Sequence, residues 1–206
     1  MKFVYLNIPP LPQHIVTRAL EIGEQIPDDI PTTVKLQEWC GDSVVVASHV
    51  YGGPDAGLPH DTQIELNKIY APYFGSKFTA ILGKLKNINS NSKTACTPPH
   101  CDRVRRMAVN YLLTAGGSNV QTVAYKTGRT DPNLARAQWG RYEDLEVDYQ
   151  VCIPEQTWHA YNVQYYHSVE NIETTRLLFS LILDNDTQGS LTYDSFVQKY
   201  KHLIKL

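Results

Sequence analysis

Two segments of the chain carry side chains that can bind a transition metal. The first is the triplet His100-Cys101-Asp102, and the second contains His167, with Arg176 nine residues further on. Alternate residues of an extended segment point to the same side, so His100 and Asp102 can reach one ion while Cys101 turns away. Two imidazoles and one carboxylate on one face of a metal leave three adjacent coordination positions open. The pattern therefore predicts a metal site that can bind further small molecules through the ion.

Arg176 lies in residues 174–183, whose alternation predicts a strand. One face of this strand carries Arg176 and Ser180 among aliphatic residues, and the other face is wholly apolar. A strand with two largely apolar faces is expected to be buried, and a buried arginine needs an anion or several acceptors. A carboxylate satisfies both the charge and the geometry of a guanidinium through a bidentate pair.

These residues resemble the HxD…H…R motif of the Fe(II)/2-oxoglutarate-dependent dioxygenases. Residues 167–171, with the sequence HSVEN, and the strand around Arg176 are similar to the family's closing motif, in which a histidine ends one strand and an arginine follows on the next. The resemblance covers residues 100–176 and a little beyond. It implies that His100, Asp102 and His167 bind Fe(II).

The same resemblance implies how a cosubstrate binds. The keto acid end of 2-oxoglutarate would chelate the iron while Arg176 holds the distal carboxylate, and O2 would take the remaining position. Oxidative decarboxylation would then give succinate and CO2, with hydroxylation of a C–H bond in a prime substrate. Ser180, on the face of Arg176, and Asn110, on a predicted strand leading out of the metal motif, are further expected cosubstrate contacts. The family's tighter Arg-x-Ser spacing is absent here.

His159 competes with His167 for the third ligand position. It also lies in a β-like run, residues 157–161, but it precedes Arg176 by seventeen residues, which is too far for two strands joined by a tight turn. His159 is therefore expected to pack near the ligands. Tyr161, like most of the chain's tyrosines, is expected to pack within the sheet with its hydroxyl at a polar tip.

Three arginines follow the metal motif directly. Arg103, Arg105 and Arg106 are expected to form a solvated strand edge, and binding of a substrate carboxylate by one of them is the alternative.

Short predicted strands separated by turns must position these residues. Several such strands favour a sandwich or barrel, and the resemblance implies a double-stranded β-helix (jelly roll, cupin-like), mainly β with flanking helices (α+β). One domain is expected over residues 1–206, with a mixed helix and strand part in 1–92, the metal-binding jelly-roll core in 93–185 and a C-terminal helix in 186–206. Periodicity predicts helices at 13–25, 63–74 and 191–204, and strands at 3–8, 43–51, 78–85, 106–113, 120–125, 147–153 and 158–163.

Composition fits an enzyme without indicating a macromolecular partner. The 206 residues can bury a sizeable core, and a net charge of −2 favours neither nucleic acid nor an anionic membrane. The four cysteines form no CxxC pair, so free thiols in a reducing, cytoplasmic setting are expected. The N-terminus does not resemble a signal peptide, and no apolar run approaches the roughly 20 residues needed to cross a bilayer.

Two other functions are compatible with the same residues. A cupin-like metalloenzyme that does not use 2-oxoglutarate would keep His100, Asp102 and His167 but would not need Arg176. A non-catalytic jelly-roll binding module would turn nothing over. The prime substrate can be a peptidyl residue or a small metabolite, and the sequence gives no indication of the oligomeric state.

Overall fold

In the computed structural model of the chain, the described residues are 3–26, 46–52, 57–87, 93–103, 105–131, 137–183 and 191–205. Twelve strands and three α-helices form the described part, with short 3-10 turns at Tyr142–Asp144 and Lys201–Leu203. The strands are β1 Phe3–Tyr5, β2 Val46–Gly52, β3 Gly57–Leu58, β4 Phe78–Lys86, β5 His100–Cys101, β6 Met107–Thr114, β7 Gln121–Gly128, β8 Gln138–Trp139, β9 Val147–Val151, β10 Thr157–Asn162, β11 Tyr165–Glu170 and β12 Thr175–Leu183. The helices are α1 Gln13–Gln25, α2 His60–Phe74 and α3 Tyr193–Lys199.

The strands form two sheets. The large sheet has the order β1-β10-β6-β12-β4-β2-β3, and the small sheet has the order β8-β5-β11-β7-β9. Neighbouring strands are antiparallel except β2 and β3. From β5 to β7, and again from β10 to β12, the chain alternates between the small and large sheets, which is the winding of a jelly roll. The predicted fold class, mainly β with flanking helices, is therefore confirmed.

The two faces of β12 separate the main core from the site. Leu177, Phe179, Leu181 and Leu183 all belong to the main apolar cluster, as the alternation predicts. Helices α1 and α2 cover this face of the large sheet, and they contribute Ile15, Val16, Ala19, Leu66, Tyr70 and Phe74 to the same cluster. The opposite face of β12, with Arg176 and Ser180, points toward the small sheet.

Most predicted elements are present, with some shifted ends. Helix α1 has the predicted bounds, whereas α2 begins three residues earlier than predicted, at His60 directly after Pro59. The helix predicted over 191–204 is shorter, because Tyr200 leaves the helical region at φ −109° and ψ 26°. Residues 43–45 of one predicted strand, and Cys40, lie outside the described residues.

The large sheet contains strands from both the expected N-terminal part and the expected core. The first four strands, β1 through β4, come from the N-terminal part, and β6, β10 and β12 come from the core. Among the helices of the described residues, none has the length and apolar character needed to cross a membrane.

Candidate metal centre

Neighbouring strands of the small sheet bring the predicted metal ligands together. His100 on β5 is paired directly with His167 on β11, and Asp102 follows β5 by one residue. The Asp102 Oδ1 atom lies 3.4 Å from His100 Nε2 and 3.5 Å from His167 Nε2, and the three ligand atoms lie within 4.8 Å of one another. Such separations suit ligands of one ion, because metal–nitrogen and metal–oxygen bonds are about 2.0–2.2 Å long.

Hydrogen bonds to the backbone fix both imidazoles. His100 Nδ1 lies 2.9 Å from the Pro98 carbonyl oxygen, and His167 Nδ1 lies 3.1 Å from that of Tyr165. Since a carbonyl only accepts, each Nδ1 carries the proton and each Nε2 directs its lone pair toward Asp102. Burial is the main cause that lowers the pKa of His167, and it favours the neutral form. Two imidazole nitrogens and one carboxylate oxygen thus converge as electron-pair donors, which is a set that fits a divalent cation.

Asp102 uses its two carboxylate oxygens differently. While Oδ1 faces the imidazoles, Oδ2 accepts a hydrogen bond of 2.8 Å from Arg105 Nε. Burial alone would raise the pKa of Asp102, but the positive charge of Arg105 acts against burial, and the pKa lies well below its usual range. The carboxylate is therefore anionic at neutral pH.

Arg176 is almost completely buried on β12, with 3% of its surface exposed. Its Nη2 donates a long hydrogen bond of 3.4 Å to Thr122 Oγ1 across the two sheets. Its Nε and Nη1 are buried and have no hydrogen-bond partner among the described residues. Burial lowers the pKa of Arg176 to about 10, so the side chain is still cationic at neutral pH. A carboxylate ligand fits beside this buried cation, because it can accept hydrogen bonds from the two unpartnered donors.

A tight turn holds the backbone of Arg176. Gly116 has φ +83°, and a Cβ atom there would lie 3.0 Å from Arg176 N and 3.1 Å from the Thr175 carbonyl carbon. The Gly116 carbonyl oxygen accepts hydrogen bonds of 2.9 Å from the amides of Glu173 and Thr174. This position requires glycine for both its conformation and its close approach.

Tyr161 on β10 lies beside the metal cluster and interacts with Arg176. Its ring packs edge-on against His167, with centroids 5.3 Å apart. Burial and the negative charge of Asp102 raise the pKa of Tyr161, while Arg176 acts in the opposite direction. Composition predicts only a packing role for Tyr161, although its alternation with His159 indicates that both side chains face the small sheet.

His159 is not part of the metal cluster. It is 2% exposed and stacks between Phe3 and Tyr161, with ring centroids 5.6 and 6.1 Å away. Burial and the neighbouring charge of Arg176 lower the pKa of His159 to about 3. It packs near the ligands, as expected.

Ser180 and Asn110 bond to each other at the centre of the large sheet. Ser180 Oγ donates a hydrogen bond of 2.7 Å to Asn110 Oδ1 and accepts one from Arg105 Nη1. The Asn110 side chain also acts to lower the pKa of the neighbouring Tyr161. Both residues lie near the metal cluster, and their contact with a cosubstrate stays a prediction.

The expectation of a solvated strand edge is wrong for Arg105. Strand β6 begins only at Met107, and the Arg105 side chain is 18% exposed and paired with Asp102. Arg103 and Arg106 are exposed, as expected. The sequence offers no periodicity here that could distinguish the three arginines, because the segment belongs to no strand.

Cys101 and Trp139 both lie next to His100. Cys101 turns away from the cluster into a separate apolar group with Val123, Tyr125 and Tyr166, and burial raises the pKa of its thiol to about 12. Trp139 on β8, 40% exposed, lies beside His100 with ring centroids 5.0 Å apart. Trp139 could not be predicted from the sequence, because a two-residue strand shows no alternation.

A polar groove of about 430 Å³ opens next to the metal-binding segment. Its lining includes Arg106, Arg129, Asp131 and Asp194, so positive and negative side chains are both present. Arg129 Nη1 also approaches the Asp102 carbonyl oxygen to 3.4 Å.

No protein-family model matches the sequence, and no curated protein is detectably similar to it. Solved structures are nevertheless similar. A prolyl hydroxylase from Trichoplax adhaerens, in complex with a peptide fragment of the hypoxia inducible factor oxygen degradation domain, superposes with a TM-score of 0.53 at 10% identity, covering 88% of this chain and 83% of that one. The chain has the double-stranded β-helix fold of such 2-oxoglutarate oxygenases.

Two enzymes of nogalamycin biosynthesis share this fold. The epimerase SnoN, in complex with Fe3+, alpha ketoglutarate and nogalamycin RO, gives a TM-score of 0.52 at 14% identity, covering 88% of this chain and 78% of that one. The alpha ketoglutarate dependent carbocyclase SnoK gives 0.51 at 13% identity, covering 96% and 86%. At these identities the likeness concerns the fold alone.

Proposed function

We propose that the protein is an Fe(II)/2-oxoglutarate-dependent dioxygenase that hydroxylates a peptidyl or small-molecule substrate and converts 2-oxoglutarate and O2 to succinate and CO2. One observation carries the proposal. A cluster of two histidines and one aspartate lies near a buried arginine whose Nε and Nη1 have no partner among the described residues. A ligand with a metal-chelating end and a distal carboxylate satisfies both features.

His100, Asp102 and His167 would hold the iron. The backbone bonds of the two Nδ1 atoms orient the imidazoles, so their Nε2 atoms are aimed at the ion before it binds. When bound, the iron supplies the centre at which cosubstrate and O2 react. Three protein ligands leave room for both.

Arg176 would bind the distal carboxylate of 2-oxoglutarate. Its Nε and Nη1, unpartnered among the described residues, are available to donate charge-assisted hydrogen bonds to that group. Because the arginine is 3% exposed, the pair would form away from water, where charge–charge interactions are stronger. Tyr161 lies close enough to Asp102 and Arg176 to line the space occupied by the ligand.

Structures with the same fold support both kinds of prime substrate. One was determined with a peptide fragment and another with a nogalamycin compound. The groove beside the metal-binding segment carries side chains of both charges, so its charge favours neither class.

The test is a titration without oxygen, followed by the admission of oxygen. Anaerobic Fe(II) and 2-oxoglutarate together should produce a visible charge-transfer band that neither produces alone. Admitting O2 should then convert 2-oxoglutarate to succinate slowly, even without the prime substrate. A metalloenzyme that does not use 2-oxoglutarate would give neither signal, and a binding module that turns nothing over would form no succinate. Iron-loaded protein that shows no band and forms no succinate would rule the proposal out.

A further inference from the structure

Arg105 connects the metal-binding carboxylate to the large sheet. Its Nε donates to Asp102 Oδ2 at 2.8 Å, and its Nη1 donates to Ser180 Oγ on β12. The two side chains of the ion pair are only 18% and 16% exposed. Pairs this shielded differ from the surface ion pairs that contribute little energy.

The hydrogen bonds beyond Arg105 have one consistent direction. A guanidinium can only donate, so Ser180 Oγ accepts a hydrogen bond from Arg105 Nη1 and donates its own to Asn110 Oδ1, 2.7 Å away. Arg105 is thereby fixed from the side opposite Asp102.

The backbone around Arg105 is also held. The Gln164 amide nitrogen, Nε2, donates to the Arg105 carbonyl oxygen at 2.9 Å. The Asp102 amide donates to the Val163 carbonyl oxygen at 3.0 Å. The turn between β10 and β11 thus supports both members of the ion pair.

We propose that Arg105 is a positioning residue that keeps Asp102 monodentate toward the metal. Carboxylates bind metal ions through one or both oxygens. Here Oδ1 faces both imidazole nitrogens, at 3.4 and 3.5 Å, while Oδ2 is held by Arg105. A second Asp102–metal bond would require Oδ2 to exchange its charge-assisted hydrogen bond for the ion.

The consequence concerns the number of open positions, and in this respect the inference rests on the proposed function. With a monodentate aspartate, three positions stay open, which is enough for a bidentate keto acid and O2. A bidentate aspartate would leave only two, which the bidentate keto acid would fill. Arg105 would therefore preserve the position that O2 needs, without touching O2 or the cosubstrate.

The experiment compares Arg105→Met with Arg103→Met in Co(II)-loaded protein. Both variants remove one positive charge close to Asp102, but Arg103 is exposed and makes the matched control. Without any cosubstrate, Arg105→Met should change the visible Co(II) spectrum toward higher coordination, because Oδ2 is released to the ion. Co(II) affinity should be kept or increased, since a nearby positive charge is lost. Arg103→Met should retain the wild-type spectrum.

Ligand titrations of the Co(II)-loaded proteins give the second readout. Arg105→Met should still bind 2-oxoglutarate, because two positions remain, but azide, a monodentate probe of the third position, should bind the 2-oxoglutarate complex about 10- to 100-fold more weakly than in the wild type, the range for contacts that orient metal ligands. Arg103→Met should bind both ligands with wild-type affinity. If Arg105→Met does not fold, Arg105→Ala replaces it and should show the same pattern.

Three outcomes would overturn the inference. An unchanged spectrum with unchanged azide affinity means that Arg105 does not constrain Asp102. An unchanged spectrum with weakened 2-oxoglutarate binding means that Arg105 contacts the cosubstrate itself. A parallel loss of Co(II) affinity means that Arg105 merely helps to build the metal site. Failure of the proposed function is distinguishable, because wild-type protein would then bind Co(II) but not 2-oxoglutarate, and the cobalt spectra would still report on Arg105.

Discussion

Asp102 supplies the only negative charge of the metal cluster found among the described residues. Asp102→Ala should therefore weaken Fe(II) binding by more than the roughly 10- to 100-fold lost when a contact behind a ligand is removed. The same change leaves Arg105 without its carboxylate partner. Anaerobic calorimetry with Fe(II) measures the effect, and Asp148→Ala, on an exposed part of β9, is the control. Wild-type affinity in Asp102→Ala would place the carboxylate ligand elsewhere.

Arg176 is expected to control the affinity for the cosubstrate and not the affinity for the metal. Arg176→Ala would leave a buried carboxylate unpaired, which costs about 2–5 kcal/mol, or roughly 30- to several-thousand-fold in 2-oxoglutarate affinity. Fe(II) affinity without cosubstrate should be unchanged, because Arg176 is not a ligand. Titrating 2-oxoglutarate into the iron-loaded variant measures the loss. A decrease below about threefold in a folded variant, far short of the loss for an unpaired buried charge, would make Arg176 a structural residue.

His159 should make the fold sensitive to mild acid. Burial beside Arg176 lowers its pKa to about 3, whereas in the unfolded chain histidine titrates near 6.5. Between these values the unfolded state binds the additional proton, so stability falls as the pH falls below about 6.5. From pH 7.5 to 5.5 this residue alone should cost about 1.4 kcal/mol.

Urea denaturation of wild type and His159→Leu at both pH values isolates this contribution. The variant should lose about 1.4 kcal/mol less than the wild type over the same pH interval. Comparing differences removes the packing cost of the substitution and the contributions of the other histidines. Equal losses in the two proteins would show that His159 is protonated in the folded state.

At the scale of elements, the turn between β6 and β7 packs against the start of β12 and determines where Arg176 lies. Gly116→Ala combines a strained φ of +83° with a Cβ atom 3.0 Å from the Arg176 amide nitrogen. Gly75, the residue after α2, provides the control, since it has φ +58° and a Cβ atom there would meet nothing within 4 Å among the described residues. Gly75→Ala should cost only the strain, about 1–2 kcal/mol, and Gly116→Ala about 1–3 kcal/mol more from crowding.

Only Gly116→Ala should also weaken 2-oxoglutarate binding, because the crowded atoms belong to Arg176 and its neighbour. Chemical denaturation and cosubstrate titration of the two variants give the comparison. Equal effects of both substitutions on 2-oxoglutarate affinity would mean that the turn at Gly116 does not influence the cosubstrate site.

Elements with clear periodicity are the ones that the sequence predicts well. The spacing of Ile15, Ala19 and their neighbours gives α1 its observed bounds, and the alternation in β12 assigns its two faces correctly. The short strands β5 and β8 have two residues each, which is too few for any period. Their positions follow from pairing with β11 and with each other, which local sequence does not encode.

The same limit applies to the site. Residue type and order are enough to identify the candidate residues His100, Asp102, His167 and Arg176. Few residue types can bind a metal or carry a charge inside a buried strand. Arg105 pairs with the nearby Asp102, but it is held by Ser180, which is 75 residues away, and Tyr161 packs against His167 of the other sheet. Their roles therefore become visible only once the sheets are assembled.

At the scale of the whole molecule, the metal ligands and Arg176 belong to different sheets. His100 and His167 lie on the small sheet and Asp102 follows its strand β5, whereas Arg176 lies on the large sheet. Metal alone should thus stabilise the small sheet's ligand cluster, and 2-oxoglutarate bound to both metal and Arg176 should connect the two sheets. Each ligand at 100 times its dissociation constant adds about 2.7 kcal/mol, and each kcal/mol raises the melting temperature of a chain this long by about 2–4 °C.

Thermal unfolding with redox-inert Mn(II) tests this coupling. Mn(II) should raise the melting temperature of the wild type and of Arg176→Ala alike, since the substitution does not affect the ligands. Adding 2-oxoglutarate should raise it further only in the wild type, and only when Mn(II) is present, because the cosubstrate needs both attachment points. Asp102→Ala should respond to neither addition. Stabilisation by 2-oxoglutarate without metal, or an equal increment in Arg176→Ala, would mean that the ligand does not span the two sheets.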